Sequence, residues 1–155
     1  MKIGIIIHSQ TNNTWSVAEK IRDNLLAQGH EVSLERIVAV DDQQAQASKV
    51  VFSACPDASP YDALIIGAPV RAFTINPIIK AYLSRLPQLG AKPAACFVTK
   101  HLKQPWLGGN RAIRHMSRFC ADKGLAIKGS AIVSWSSPER EQQIEACVST
   151  ITALF

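Results

Sequence analysis

The chain has 155 residues, 47% of them hydrophobic, and 17 Lys and Arg against 12 Asp and Glu give a formal net charge of +5. That length supports one well-buried core and argues against two, so residues 1–155 are expected to form a single domain. The chain does not open with a charged segment leading into an apolar one, and no uninterrupted apolar stretch is long enough to span a bilayer. A soluble, cytoplasmic protein without membrane association is the expectation.

The elements follow one another in two alternating periods. "KIGIII" (2–7) is a continuous apolar run of strand length, and "TWSVAEKIRDNLLAQG" (14–29) places Val17, Ile21 and Leu25 at helical spacing before Gly29 stops it. "HEVSLERI" (30–37) alternates as a more exposed strand. Residues 38–60 are polar and poorly patterned, with Pro56 and Pro60, and read mainly as a connection. "DALIIGAP" (62–69) is a third strand. "NPIIKAYLSRL" (76–86) is a helix that Asn76 can cap, with Pro77 suited to the first helical position. "PAACFVT" (93–99) is a fourth strand, "GNRAIRHMSRFCADKG" (109–124) a helix and "LAIKGSAIVSW" (125–135) a fifth strand. "PEREQQIEACVSTITALF" (138–155) closes the chain as a helix with Ile144, Cys147, Val148, Ile151, Leu154 and Phe155 on one face.

Such alternation specifies a parallel sheet with helices on both faces, an α/β architecture in which each right-handed crossover buries a helix against the sheet. Ligands of these sheets sit beyond the carboxyl ends of the strands, where the strand order reverses. The loops that matter are therefore 8–14, 68–76 and 99–110. Cys55, Cys96, Cys120 and Cys147 are widely spaced without a C-x-x-C pair, which points to reduced thiols packed as small hydrophobes rather than to a disulfide framework or a zinc site.

The first loop, "HSQTNNTWS" (8–16), crowds Ser9, Thr11, Asn12, Asn13 and Thr14 around a helix start. Unpaired backbone N–H groups and the positive end of the helix dipole favour an anion there, and hydroxyl and amide side chains add donors without a full positive charge. One cap, at Asn13 or Thr14, would use only part of that donor set, so the loop reads as a phosphate site.

"HSQTNNTWSVAEKI" resembles the phosphate-binding loop of the flavodoxin family, Ser/Thr-x-Thr-Gly-Asn-Thr before a helix. Ser9, Thr11, Asn13 and Thr14 match, and Asn12 stands where the family usually has Gly. Asparagine is the non-glycine residue that best tolerates positive φ, so the turn can survive the exchange. The resemblance continues through "YDALIIGAPVRAFTINPIIKAYL" (61–83) and "GGNRAIRHMSRFCADKG" (108–124), and so covers most of the chain. It implies a flavodoxin-like three-layer α/β/α sandwich on a five-stranded parallel sheet of order 2-1-3-4-5, binding FMN. The implied cofactor-binding residues are Ser9, Gln10, Thr11, Asn12, Asn13 and Thr14 around the phosphate. Pro69, Val70, Arg71, Ala72, Phe73, Thr99, Trp106, Gly108 and Gly109 would lie along the isoalloxazine ring. Val70, Arg71 and Ala72 could offer backbone groups to the flavin edge. Phe73 is an apolar wall or a staple on the next helix, and Trp106 a stacking partner or a hydrophobic anchor of its loop.

Protein side chains offer no competing chemistry. His8 ends the first strand and reads as a hydrogen-bonded structural residue, and no Ser-His-Asp order, acid/base carboxylate pair or metal-ligand spacing accompanies the loops. A receiver domain, which shares this architecture, needs acidic residues after the first strand, where His8 and Ser9 stand instead. The redox chemistry would belong to the cofactor.

From Lys100 to Lys128 the chain carries Lys100, Lys103, Arg111, Arg114, Arg118, Lys123 and Lys128 against only Asp122. Carrier flavodoxins are typically acidic, so this charge implies another partner, an acidic redox protein or the phosphates of NAD(P)H, while nucleic acid lacks an aromatic platform. Positive charge near the ring would also make the final reduction step less negative than in acidic flavodoxins. The functional expectation is an electron-transfer protein shuttling one or two electrons. The alternatives are a small NAD(P)H-dependent FMN or quinone reductase and a flavin-free binding or regulatory module. The apolar face of the last helix serves either the core or a homodimer.

Overall fold

The computed structural model describes residues 1–71, 74–101 and 108–155. Five parallel strands make the central sheet: β1 (Lys2–Ile7), β2 (Glu31–Arg36), β5 (Ala63–Pro69), β6 (Pro93–Lys100) and β7 (Ala126–Ser134). Their order is β2-β1-β5-β6-β7, which is 2-1-3-4-5 when only the strands of this sheet are counted. Four α-helices lie among the described residues: α1 (Asn13–Ala27), α2 (Pro77–Ser84), α3 (Gly109–Asp122) and α4 (Arg140–Thr152).

The inner strands read as continuous apolar runs because both their faces are buried. Ile3, Ile5 and Ile7 of β1, Ala63 and Ile65 of β5 and Ala95 and Phe97 of β6 pack with Val17, Ile21 and Leu25 of α1 and Ile144, Cys147 and Ile151 of α4. The alternate residues Ile6, Leu64, Ile66, Cys96 and Val98 face the other way, onto Ile78, Ile79 and Tyr82 of α2 and Ala112, Met116 and Cys120 of α3. The result is a three-layer sandwich with two cores, one on each face. Phe97 is fully buried, and its truncation to Ala should cost about 3–5 kcal/mol.

The helix starts follow from local chemistry. Asn76 Oδ1 accepts from the Ile78 N–H at 2.8 Å and Pro77 occupies the first turn of α2, satisfying an orphan donor where proline has none to lose. Val148, Leu154 and Phe155 pack at the margin of the α1/α4 core, so the apolar face of the last helix is used within the domain.

Two sequence expectations change. Residues 38–60 hold more than a connection: β3 (Val38–Ala39) and β4 (Phe52–Ala54) pair antiparallel, with a 3-10 turn at Ala47–Lys49 between them. These strands are too short to show a period, yet Ala39 and Val50 are buried and Phe52 meets the Tyr82 ring edge-on at 6.3 Å. Cys96, Cys120 and Cys147 are buried free thiols as expected, whereas Cys55 is exposed.

For function, the register is what counts. Ile7 pairs with Gly67, Gly67 with Phe97, and Pro69 with Thr99, so the loops after β1, β5 and β6 leave the sheet side by side. Among the described residues no helix is long and apolar enough to cross a membrane.

Candidate functional site

The loop after β1 turns into α1 through Asn12, at φ 65° and ψ 3°, the only non-glycine with positive φ among the described residues. This is the left-handed conformation that glycine would adopt at no cost and that asparagine tolerates best among the rest. Its side chain is engaged: Asn12 Oδ1 accepts from the Arg36 guanidinium at 2.9 Å, and the same guanidinium donates to the Ser9 carbonyl at 3.4 Å. Arg36 also lies over the Trp15 ring, 4.4 Å from its centroid. One cation from the end of β2 therefore braces both ends of the loop, and the Trp15 indole N–H is fixed in turn on Glu19 at 2.5 Å.

No side chain at Asn12 caps the first N–H groups of α1. The Ser9 hydroxyl accepts from the Trp15 N–H at 3.3 Å, using one donor of the helix start. Thr14 is buried, and its hydroxyl meets that of Thr99 at 2.8 Å, which ties the start of α1 to the end of β6. Gln10, Thr11 and Asn12 are exposed and Asn13 half-buried, with the Gln10 and Asn12 amides each engaged in a hydrogen bond within the protein.

The second loop is held from within. The Val70 N–H donates to the Thr99 carbonyl at 2.9 Å, and Arg71 and Thr74 exchange backbone hydrogen bonds at 3.2 and 3.1 Å. The Arg71 guanidinium donates to the carbonyls of Asp42, Gln43 and Gln44, and Gln10 donates to the Asp42 carbonyl at 3.0 Å. The 41–44 turn is thereby stitched to both loops. Of the backbone groups of Val70 and Arg71, both N–H groups and the Arg71 carbonyl are thus bonded within the protein, and both residues border the cleft described below. Ala72, Phe73 and Trp106 lie outside the described residues.

At the third loop Lys100 is buried at 5% exposure, and burial lowers its pKa. Gly108 opens α3 at φ 101° and Gly109 follows it, both buried. A Cβ at Gly109 would come within 3.0 Å of the Lys100 side chain, so glycine here lets the lysine lie against the helix start. Both glycines shape the site from behind.

His8 departs from expectation. It is 1% exposed, and neither ring nitrogen has a hydrogen-bond partner. Burial holds its pKa below the usual histidine value; the Asp42 carboxylate and the Ile37 backbone partly offset this, while Arg36 and Arg71 add to it. The ring packs beneath the loop, where burial disfavours its charged form.

A cleft of about 170 Å³ opens between the three loops, lined by Gln10, Thr11, Asn13, Pro69, Val70, Arg71, Thr99, Lys100 and His101. Seven of these were expected from the sequence. Ser9, Asn12, Thr14, Gly108 and Gly109 stand outside its lining, as the supports just described. Lys100, His101 and Arg36 were missed as site residues. Lys100 and His101 continue the run from Thr99 and could have been included, but Arg36 enters through the pairing of Ile7 with Arg36, a tertiary register with no local signature.

Comparison with protein-family models and with curated proteins finds no match. Solved structures do match. Flavodoxin 2 from Bacillus cereus is 21% identical, with 99% of this chain and 97% of that one covered at a TM-score of 0.68. Flavodoxin 1 from the same organism is 19% identical, covering 99% and 96% at 0.67. A flavodoxin, WrbA-like protein from Agrobacterium tumefaciens is 11% identical, covering 99% and 96% at 0.65. With its five-stranded order and its helices on both faces, the chain has the flavodoxin fold.

Proposed function

We propose that the chain binds FMN at the cleft and serves as an electron-transfer protein. The observation that carries this is Asn12, held in the left-handed conformation by Arg36, because that turn wraps a loop of amides and hydroxyls around the start of α1. The donor set fits a phosphate monoester: Gln10, Thr11 and Asn13 line the cleft, and backbone N–H groups at the helix start add the positive end of the dipole. Lys100, buried beside Thr99, supplies a cation at the third side of the cleft.

Bound FMN would supply the chemistry, accepting and releasing one or two electrons. This chain's residues do the rest. Thr14 and Thr99 lock the helix to the sheet so that the loop cannot widen. Arg71 ties the 41–44 turn to the second loop, and Pro69 and Val70 offer an apolar surface to a planar ring. The basic character of the chain supports an acidic redox protein or NAD(P)H as the exchange partner. A cytoplasmic location accords with redox exchange of this kind.

Addition of FMN to the purified protein should quench its fluorescence and leave a yellow protein after dialysis. A colourless protein with unquenched FMN would overturn the proposal. If the yellow protein bleaches rapidly with NADPH or NADH and no second protein, it acts as a reductase; if it does not, as a carrier.

A further inference from the structure

Beyond the backbone pair of Arg71 and Thr74 lies a second hollow, on the face of the molecule formed by α2 and α3. Arg71 lines the cleft described above, while Thr74 lines this hollow, so the paired residues Arg71 and Thr74 stand between the two. Arg111, Arg114, His115 and Arg118 line a space of about 410 Å³, and an adjoining space of about 320 Å³ shares Arg111 and His115 with it. The second space adds Lys80 and an apolar floor that includes Ala45, Ile75 and Pro77.

Folding does not account for this arrangement. Arg111, Arg114 and Arg118 recur at i, i+3 and i+7 on one helix face, where like charges repel. Arg111 sits in the first turn of α3, which holds no acidic residue, and there the macrodipole is already positive. Among the described residues the ion pairs join Lys20 to Glu141, Arg22 to Asp23 and Arg140 to Glu141, and the three arginines of α3 take part in none. Lys80 lies 6.0 Å from the Phe119 ring centroid, which orients it without neutralising it. His115 meets Thr74 Oγ1 at 3.5 Å, and its pKa is lowered by burial and then by Arg111, Arg118, Arg114 and Lys80, so the charges acting on it are all positive.

We propose that this groove binds the phosphates of a nucleotide, with the arginines of α3 and Lys80 on the phosphate oxygens and the base against Ala45, Ile75 and Pro77. Arg111, Arg114 and Arg118 line the same hollow, which suits an anion small enough to enter and accept paired N–H donors. An acidic protein surface would instead need a broad contact of roughly 1,000 Å² or more to bind stably. The apolar floor beside the charge distinguishes a nucleotide from free phosphate. This goes beyond the flavin reading and holds whether or not the neighbouring cleft is filled.

The test is calorimetric titration of the full chain, with and without FMN, using ADP, inorganic pyrophosphate and polyglutamate at low salt. ADP should bind more tightly than pyrophosphate, and Arg114→Glu with Arg118→Glu should weaken ADP by at least about tenfold while leaving FMN affinity unchanged. In a proton NMR titration of the folded protein, ADP should raise the pKa of His115. Absence of ADP binding, equal affinity in the double variant, or capture of polyglutamate without ADP would overturn the proposal. Loss of FMN binding with ADP binding intact would count against the flavin cleft alone.

Discussion

The cleft at the ends of β1, β5 and β6 and the groove between α2 and α3 are neighbours built on opposite terms. In the cleft, charge is used internally. Arg36 braces Ser9 and Asn12, Arg71 binds three carbonyls of the 41–44 turn, and the groups presented outward are chiefly amides and hydroxyls. In the groove the arginines of α3 line one helix face and enter no ion pair among the described residues. The first is a shaped site whose affinity rests on preorganisation; the second is an electrostatic one whose affinity rests on field. Raised salt should therefore weaken ADP at the groove more than FMN at the cleft.

The largest effect should come from the brace. Arg36→Ala removes the guanidinium from Asn12, Ser9 and Trp15, and FMN affinity should fall by about tenfold or more, given about 1.5–3 kcal/mol for hydrogen bonds to a charged group. ADP affinity should not change. Equal loss of both ligands would show that the two sites are coupled through the fold.

Asn12→Ala keeps the left-handed turn but loses both the tolerance for it and the bond to Arg36, at about 1–2 kcal/mol of stability in denaturant unfolding. Asn12→Gly should recover most of this. A smaller cost, about 1 kcal/mol, is expected for Thr14→Val, which breaks the buried hydroxyl pair with Thr99.

The pH dependence is the mildest test. His8 has a folded-state pKa below its unfolded value, so between the two the unfolded chain binds more protons. Stability is then present above the unfolded pKa, near 6.5, and is lost as pH falls below it. His115 is lowered too and acts with the same sign. Thermal unfolding should occur at lower temperature in mild acid than at neutral pH, and His8→Leu should flatten that slope without abolishing it.

The contrast between the sites also explains what could be read in advance. The alternation of layers was legible because strands buried on both faces are continuous apolar runs and the helices keep their period, whereas the sheet order was implied only by the resemblance of the first loop and its neighbours to flavodoxins. The Asn76-Pro77 start of α2 was legible from two residues. The donor-rich loop was visible because hydroxyls and amides rarely crowd a helix start to that degree. Arg36 was not, since it reaches the loop through strand pairing, nor was the lack of partners for the His8 ring. The short β3–β4 pair carries no period to detect. The charge of α3 was plain in the sequence, yet the hollow it lines depends on the 74–77 segment and α2 packing beside it.

The central claim is that the amides and hydroxyls of residues 9–14 grip the phosphate of a flavin nucleotide, and equilibrium binding of FMN against riboflavin tests it most directly. The account predicts that FMN binds at least about a hundredfold more tightly, since a phosphate at a preorganised helix terminus makes several charge-assisted hydrogen bonds. Equal affinity for the two would contradict it.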